Sequence, residues 1–348
     1  MTTGPLAGLK FVEMAGIGPA PFAAMVLADL GATGVRIESP VQRLALPGPE
    51  FDITRRGRKP MHLDLRQDAD LSAARDLIAA ADLLIEGFRP GVMERLGLGP
   101  VDCMKRNPKL VYGRITGWGQ EGPYAQRAGH DLDFIAVAGI LAHIGRRGQP
   151  PTPPQNLIAD YGGGAMLLLV GALAALWETQ RSGQGQVVDA AMVDGSALLT
   201  SLMRTLAAQG MWSAEIGVNI LDSGAPFYDV YATADGKWLA VACLEAAFFA
   251  EFLSICGLDT EWIESQYDPT QWAQLRAAIA KVIATRTQGA WAAAFAETDA
   301  CVAPVLTMEE APSHPQLEFR QTYVTIDGQV QPAPAPRFSR TQASLSSD

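Results

Sequence analysis

The sequence predicts an α/β fold, with a parallel, doubly wound sheet in the first 120 residues and a smaller α+β domain beginning near residue 225. Three observations carry this. Short apolar runs alternate with helix-period segments over residues 9–116, the pattern of strands joined by helical crossovers. Ala234-Asp235-Gly236-Lys237 separates two apolar runs, which marks a hairpin and a change of texture. With 348 residues, 48% of them hydrophobic, the chain can bury two cores.

The elements follow in order. Residues 9–13 read as a strand, 21–30 as a helix closed by Gly31, and 35–38 as a second strand. Residues 61–65 read as a third strand, 69–81 as a helix, and 83–86 and 110–116 as two more strands. Ligands of such sheets bind beyond the carboxyl ends of the strands, so the loops after Glu38, Leu65, Glu86 and Thr116 are expected to line a ligand. Residues 145–154 form a Gly/Pro-rich connection. A long apolar helix is expected from Gly162 to about Gln180, as a core helix in place of a membrane span. Residues 187–193 suggest another strand and 196–209 another helix. Beyond the hairpin of 227–233 and 238–244, helical patterns cover 246–256 and 271–285. The Pro-Ala alternation of 332–336 predicts an extended tail.

Composition narrows the function. A net charge of −10 argues against nucleic acid as a partner. The four cysteines make no CxxC pair and the histidines no HxxxH or HxH spacing, so no metal site is expected. Residues 1–14 lack a basic stretch followed by an apolar run. With unpaired thiols, this points to the cytoplasm.

Two proton-transfer groups stand out. His130 lies in Gly129-His130-Asp131. Asp160 precedes Tyr161 and Gly162-Gly163-Gly164. Asp160 also suits the N-cap of the helix that follows, and the two roles are compatible. Glu245, ending an apolar run, is either a helix N-terminal charge or a site residue. The cluster Arg55-Arg56-Gly57-Arg58-Lys59 is either a solvated loop or a phosphate-binding one. Arg36, Arg66 and Arg89 sit in or just after strands and favour a polyphosphate ligand. Gly117-Trp118-Gly119-Gln120-Glu121-Gly122 matches GxGxxG. Without a helix pattern behind it, it reads as a Gly-rich loop and not a dinucleotide site. Met192, Met203 and Met211 could offer a greasy, adaptable surface or simply fill the core.

The stretches IEGFRPGVMERLGLGP, RITGWGQEGPYAQRAGHDLDF, NLIADYGGGAMLLLVGALAALWE, GQVVDAAMVDG and GAPFYDVYATADGKWLAV together identify a family. Over about residues 4–340 the chain resembles the family III CoA-transferases of the CaiB/BaiF type. GHD, ADYGGG and the GAPFY hairpin followed by Glu245 resemble the branch that racemises 2-methylacyl-CoA esters.

The resemblance implies an interlocked homodimer. Its large Rossmann-like CoA-binding domain would comprise 1–190 and 325–348, its linker helices 191–224, its small α+β domain 225–312 and its return linker 313–324. The active site would form between the large domain of one subunit and the small domain of the other. The substrate is an acyl-CoA thioester, and no cofactor is implied beyond its own coenzyme A. By the same resemblance His130 and Asp160 are the catalytic pair, acting on the S and R substrates respectively, with Glu245 in support and Asp131 in the shared motif. The backbone N–H of Asp131 is the expected enolate donor. The CoA-binding positions fall on Leu63, Asp64, Leu65, Arg66, Gly87, Phe88, Arg89, Arg95, Gly129, Leu132, Asp133 and Phe134, with Arg56 near the phosphates. Ser39 stands where relatives carry a basic residue, and Arg36 or Arg43 could substitute for it. Ala246-Ala247 also departs from the family's usual polar sequence, which bears on the acyl pocket.

Overall fold

The computed structural model describes residues 3–41, 52–343 and 345. Arg43 lies outside the described residues. The chain folds as two compact units, one of residues 1–140, 154–201 and 321–348, the other of 141–153 and 202–320.

The first unit is built on β1 (Lys10–Met14), α1 (Pro19–Asp29), β2 (Thr33–Glu38), β3 (Arg58–His62), α2 (Asp68–Ala79), β4 (Leu83–Glu86), α3 (Val92–Arg95), α4 (Pro100–Arg106) and β5 (Val111–Thr116). There follow α5 (Asp131–Val137), a wide π-helical segment (Leu157–Ala165), α6 (Met166–Ser182), β6 (Val187–Ala191) and α7 (Met192–Leu199). The six strands form one parallel sheet in the order β3-β2-β1-β4-β5-β6. The order reverses between β1 and β4, the place where such sheets open a crevice for ligands. β4 and β5 are buried along their whole length, as strands covered on both faces must be. Leu84, Tyr112, Ile78 and Met93 pack in one layer of this core.

The second unit contains α8 (Ser201–Ala208) from its second residue on, then a three-stranded antiparallel sheet of β7 (Tyr228–Ala232), β8 (Trp238–Ala242) and β9 (Val302–Pro304). Between β8 and β9 run α9 (Ala246–Cys256), α10 (Trp272–Ile283) and α11 (Gln288–Phe295), which bury Phe249, Phe252, Leu275 and Trp291 against the sheet. Gly236 takes a φ of 74° in the β7–β8 turn, which explains its place in that Asp-Gly hairpin. The chain then continues through α12 (Pro315–Phe319) and returns to the first unit as the hairpin β10 (Tyr323–Ile326) and β11 (Gln329–Pro332).

Three expectations change. The helix expected from Gly162 begins as π-helical turns at Leu157 and becomes α-helical only at Met166. The helix expected over 196–209 is two helices parted at Thr200. The third strand ends at His62, so Leu63 to Leu65 lie in the loop beyond it, at the ligand edge of the sheet.

The helical stretch Leu157–Ser182 is long and apolar enough to cross a membrane by length and composition. One side packs on the sheet through Leu168, Leu169, Ala172 and Ala175, as a core helix does. The other side exposes Met166, Val170, Leu173 and Trp177 at helical spacing.

Candidate active site

α5 starts directly after His130, whose backbone N–H donates to the Asp133 carboxylate at 2.9 Å. That bond caps the start of the helix at His130. Asp131, the first helical residue, turns inward and is 4% exposed. Its Oδ2 accepts from the N–H of Ala159 at 2.6 Å and from the N–H of Asp160 at 2.8 Å. Its Oδ1 is buried with no partner among the described residues. One carboxylate thus ties the helix carrying His130 to the turn carrying Asp160.

Ala159 and Asp160 lie in the first turn of the π-helical segment, where N–H groups have no intrahelical acceptor, so two consecutive amides can face one carboxylate. The triple glycine lets this wide segment lie against α7. A Cβ on Gly163 would stand 2.6 Å from the Ser196 nitrogen, and one on Gly195 would stand 1.8 Å from the Gly163 oxygen. Met192 is buried here, 2.8 Å from where a Gly164 Cβ would lie, so it fills the core. Met211 is exposed in the second unit.

The Asp160 carboxylate faces the loop after β1. Gly18, with φ 71°, lies close enough that a Cβ there would be 3.1 Å from Asp160 Oδ2. The same oxygen accepts from Asn156 Nδ2 at 3.1 Å, and the adjacent Tyr161 ring stacks on Phe22 at 4.5 Å. Burial pushes the Asp160 carboxyl above the usual carboxylate range. The Asp131 charge adds to this, while the Asn156 hydrogen bond and the nearby His130 act against it. A half-buried carboxyl whose proton affinity is raised, with an imidazole nearby, can take and return protons on carbon.

The loops expected to hold CoA divide into two groups. Leu63, Asp64, Leu65 and Arg66 follow β3, and Arg66 forms an exposed ion pair with Asp64 at 2.8 Å. Gly87, Phe88 and Arg89 follow β4, where the Phe88 N–H donates to Glu86 at 2.8 Å. Arg89 and Arg95 are exposed and make no ion pair with any described residue. Among the described residues both are unpaired cations at this edge. Leu132 and Asp133 are exposed on α5. Phe134 is buried below them, so tightly that a Cβ on Gly117 would meet its ring at 2.1 Å and one on Gly129 at 2.7 Å. The GxGxxG stretch is accordingly a loop wrapped over Phe134 and opens no helix.

Arg36 and Arg56 both form ion pairs within the first unit. The Arg36 guanidinium is buried and donates to Glu13 and, at 2.8 Å, to Glu38. Arg56 pairs with Asp29 and donates to the Pro332 carbonyl at 2.8 Å, tying the returning hairpin to α1. Arg58 pairs with Glu13 at 2.9 Å, and Arg55 with Glu38 at 2.6 Å. Most of the basic cluster therefore neutralises carboxylates of its own sheet edge. Buried acids such as Glu13, which is fully covered, are what the sequence pattern concealed.

Glu245 belongs to the second unit, at the N-cap of α9, where its side chain makes no capping bond. Its charge is felt by two neighbours. Burial, and then Glu245, raise the Tyr267 phenol, and the same order of causes raises the Cys301 thiol.

A sequence model of family III CoA-transferases matches residues 6–348. The chain belongs to the CoA-transferase family III. It is 44% identical over 339 residues to the mouse α-methylacyl-CoA racemase, covering 97% of this chain and 87% of that one. To the human α-methylacyl-CoA racemase it is 41% identical over 341 residues, with the same coverage. Among solved structures, a CaiB/BaiF family protein from Brucella suis superposes with a TM-score of 0.84 at 25% identity, covering 99% of this chain and 95% of that one. Asn156, Gly18, Phe22 and Tyr267 were not anticipated from sequence. Only Asn156, one helical turn before Asp160, carried a spacing that could have revealed it.

Proposed function

We propose that this chain racemises 2-methylacyl-CoA thioesters by 1,1-proton transfer at the α-carbon. The observation that carries the reading is the tie through Asp131, which couples the elements bearing His130 and Asp160. The mouse and human racemases, similar over 97% of the chain, support the same reaction. Asp160 takes the α-proton of the R ester as a carboxylate, and His130 protonates the enolate on the opposite face. From the S ester, His130 is the base and the Asp160 carboxyl the acid.

General base action contributes about 10²–10⁴-fold, too little for a thioester α-proton, so the enolate oxygen also needs a donor. The Asp131 N–H, in the first turn of α5 where no preceding turn accepts it, fits that role. One such donor contributes roughly 2.7–4 kcal/mol. Proton transfer between two fixed groups through an enolate uses no redox or imine chemistry, so the proposal includes no cofactor apart from the CoA of the substrate. Arg66, Arg89 and Arg95, exposed at the ligand edge, suit the CoA phosphates.

The proposal extends to a homodimer. The exposed stripe of Met166, Val170, Leu173 and Trp177 supports burial against a second copy, and Glu245 would serve the site of the other subunit. Four free thiols suit a reducing compartment, and the cytoplasm belongs to the same reading.

The test is chiral analysis of a single-enantiomer 2-methylacyl-CoA after incubation, with and without an added free carboxylic acid. Both enantiomers should appear, and the acid should remain unesterified. Transfer of CoA to the acid with retained configuration would instead assign Asp160 as a nucleophile and overturn the racemase reading.

A further inference from the structure

One buried guanidinium on β5 is bonded to both segments that carry the exposed arginines Arg89 and Arg95. Arg114 Nε donates to Glu86 Oε1 at 2.8 Å, while Nη1 and Nη2 donate to Glu94 Oε1 and Oε2 at 2.8 and 3.3 Å. Glu86 is fully covered, and its other oxygen accepts the Phe88 N–H at 2.8 Å, one residue before Arg89. Glu94 lies on α3 directly before Arg95. The Tyr112 ring faces the Arg114 guanidinium at 5.7 Å, and its hydroxyl donates to the Leu98 carbonyl, just beyond α3, at 2.8 Å. All of these residues belong to the first unit.

The segment between the two carboxylates is short and closed on itself. The Val92 N–H donates to the Arg89 carbonyl and the Arg95 N–H to the Gly91 carbonyl, both at 3.1 Å. Gly91 takes a φ of 84°, which turns the chain from Arg89 into α3. A Cβ on Gly91 would stand 3.2 Å from Arg95 Nη1, so the Arg95 guanidinium folds back over the turn that Arg89 begins. The Pro90 carbonyl accepts from Gln126 Nε2 at 3.2 Å. One hydrogen-bonded turn thus presents both cations, and Arg114 grips it at each end. A planar guanidinium can hold three carboxylate oxygens at once in this way, whereas a lysine ammonium cannot match that fork.

We propose that Arg114 is a positioning residue for the nucleotide end of the substrate: through Glu86 and Glu94 it sets the spacing of Arg89 and Arg95, so that both can pair with the phosphates of coenzyme A. This rests on the acyl-CoA reading above and deepens it. Arg114 itself is buried and touches no ligand. Its loss, or the loss of Glu94, should therefore weaken the grip on the nucleotide and leave the proton-transfer step alone.

The experiment compares wild type, Glu94→Ala, Glu94→Gln, Arg114→Lys and Arg106→Ala. Calorimetry measures free coenzyme A binding, and initial rates are taken with a 2-methylacyl-CoA and with the matching 2-methylacyl-pantetheine, which lacks the nucleotide and its phosphates. Glu94→Ala should raise the Kd of coenzyme A and the KM of the CoA ester about tenfold, as for a misplaced charged hydrogen bond, with kcat within about twofold. Its kcat/KM for the pantetheine ester should equal that of wild type. Glu94→Gln keeps an acceptor for Arg114 and should recover most of the affinity. Arg106→Ala removes only a surface pair with Asp76 and should match wild type. The Glu94 side chain is 44% exposed, so its variants keep the buried Arg114–Glu86 pair and should fold. Arg114→Lys disturbs that pair, and if it fails to fold, Glu94→Ala decides. Unchanged coenzyme A binding in Glu94→Ala overturns the proposal, as does an equal loss with the CoA and pantetheine esters, which would mark the network as merely structural. If wild type neither binds coenzyme A nor prefers the CoA ester to the pantetheine ester, the acyl-CoA reading itself has failed, and the proposal with it.

Discussion

The Asp131 carboxylate accepts the backbone N–H of Asp160, 29 residues away in the chain, at 2.8 Å. It accepts the N–H of Ala159 with the same oxygen. A residue beside one proposed base therefore sets the position of the other. Removing it leaves two amides without their acceptor, and each unpaired buried donor costs about 1–3 kcal/mol. Asp131→Ala should lower the melting temperature and cut kcat far more than it changes KM. Calorimetry and initial rates on the folded fraction check both.

The raised carboxyl of Asp160 has a signed consequence for stability. Its folded-state pKa lies above the unfolded one, so folding favours the protonated form. The cost of ionising it is absent below the unfolded pKa and appears as pH rises through the folded one. Asp160→Asn should therefore raise the melting temperature at neutral pH, with the gain fading toward about pH 4, near the carboxylate's ordinary range. A melting series across pH measures this. In activity, the acid limb for the R ester should lie above an ordinary carboxylate's, because the base must be ionised.

The triple glycine makes a graded prediction. A Cβ at Gly162 would meet the Leu157 oxygen and the Leu199 methyl at 3.4 Å, ordinary contact, whereas Gly163 and Gly195 face backbone at 2.6 and 1.8 Å. Gly162→Ala should be nearly neutral. Gly163→Ala and Gly195→Ala should each cost about 1–3 kcal/mol or more, with Gly195→Ala the worse. Urea unfolding of the three variants tests the order.

Two arginines separate binding from structure. Arg89 is exposed and unpaired among the described residues, while Arg56 joins Asp29 to the Pro332 carbonyl. A charged hydrogen bond contributes about 1.5–3 kcal/mol, so Arg89→Ala should raise KM for acyl-CoA roughly tenfold or more. Arg56→Ala should act mainly on stability. Saturation curves and thermal melts of both variants distinguish them.

The sheet was legible because its strands are short, apolar and separated by helix-period segments. Residues 83–86 match the observed β4 end to end. The small unit's hairpin was legible from Asp235-Gly236, whose turn needs a positive φ. The π-helical segment was not, because Leu157–Ala165 has the composition of an ordinary helix start. The break at Thr200 carries no Gly or Pro signal. The ion pairs of the arginine cluster were not legible, because strand sequences do not reveal that Glu13 on β1 and Glu38 on β2 point toward it. The catalytic candidates came from motif resemblance. What sequence could not show was the carboxylate joining them.

The most direct measurement is α-hydrogen exchange of a single-enantiomer 2-methylacyl-CoA in D2O, for wild type, His130→Ala and Asp160→Ala. Two opposed bases predict that wild type incorporates deuterium while inverting the centre, and that each variant loses inversion while exchange survives at most from one enantiomer. Inversion at wild-type rate in either variant would contradict the assignment.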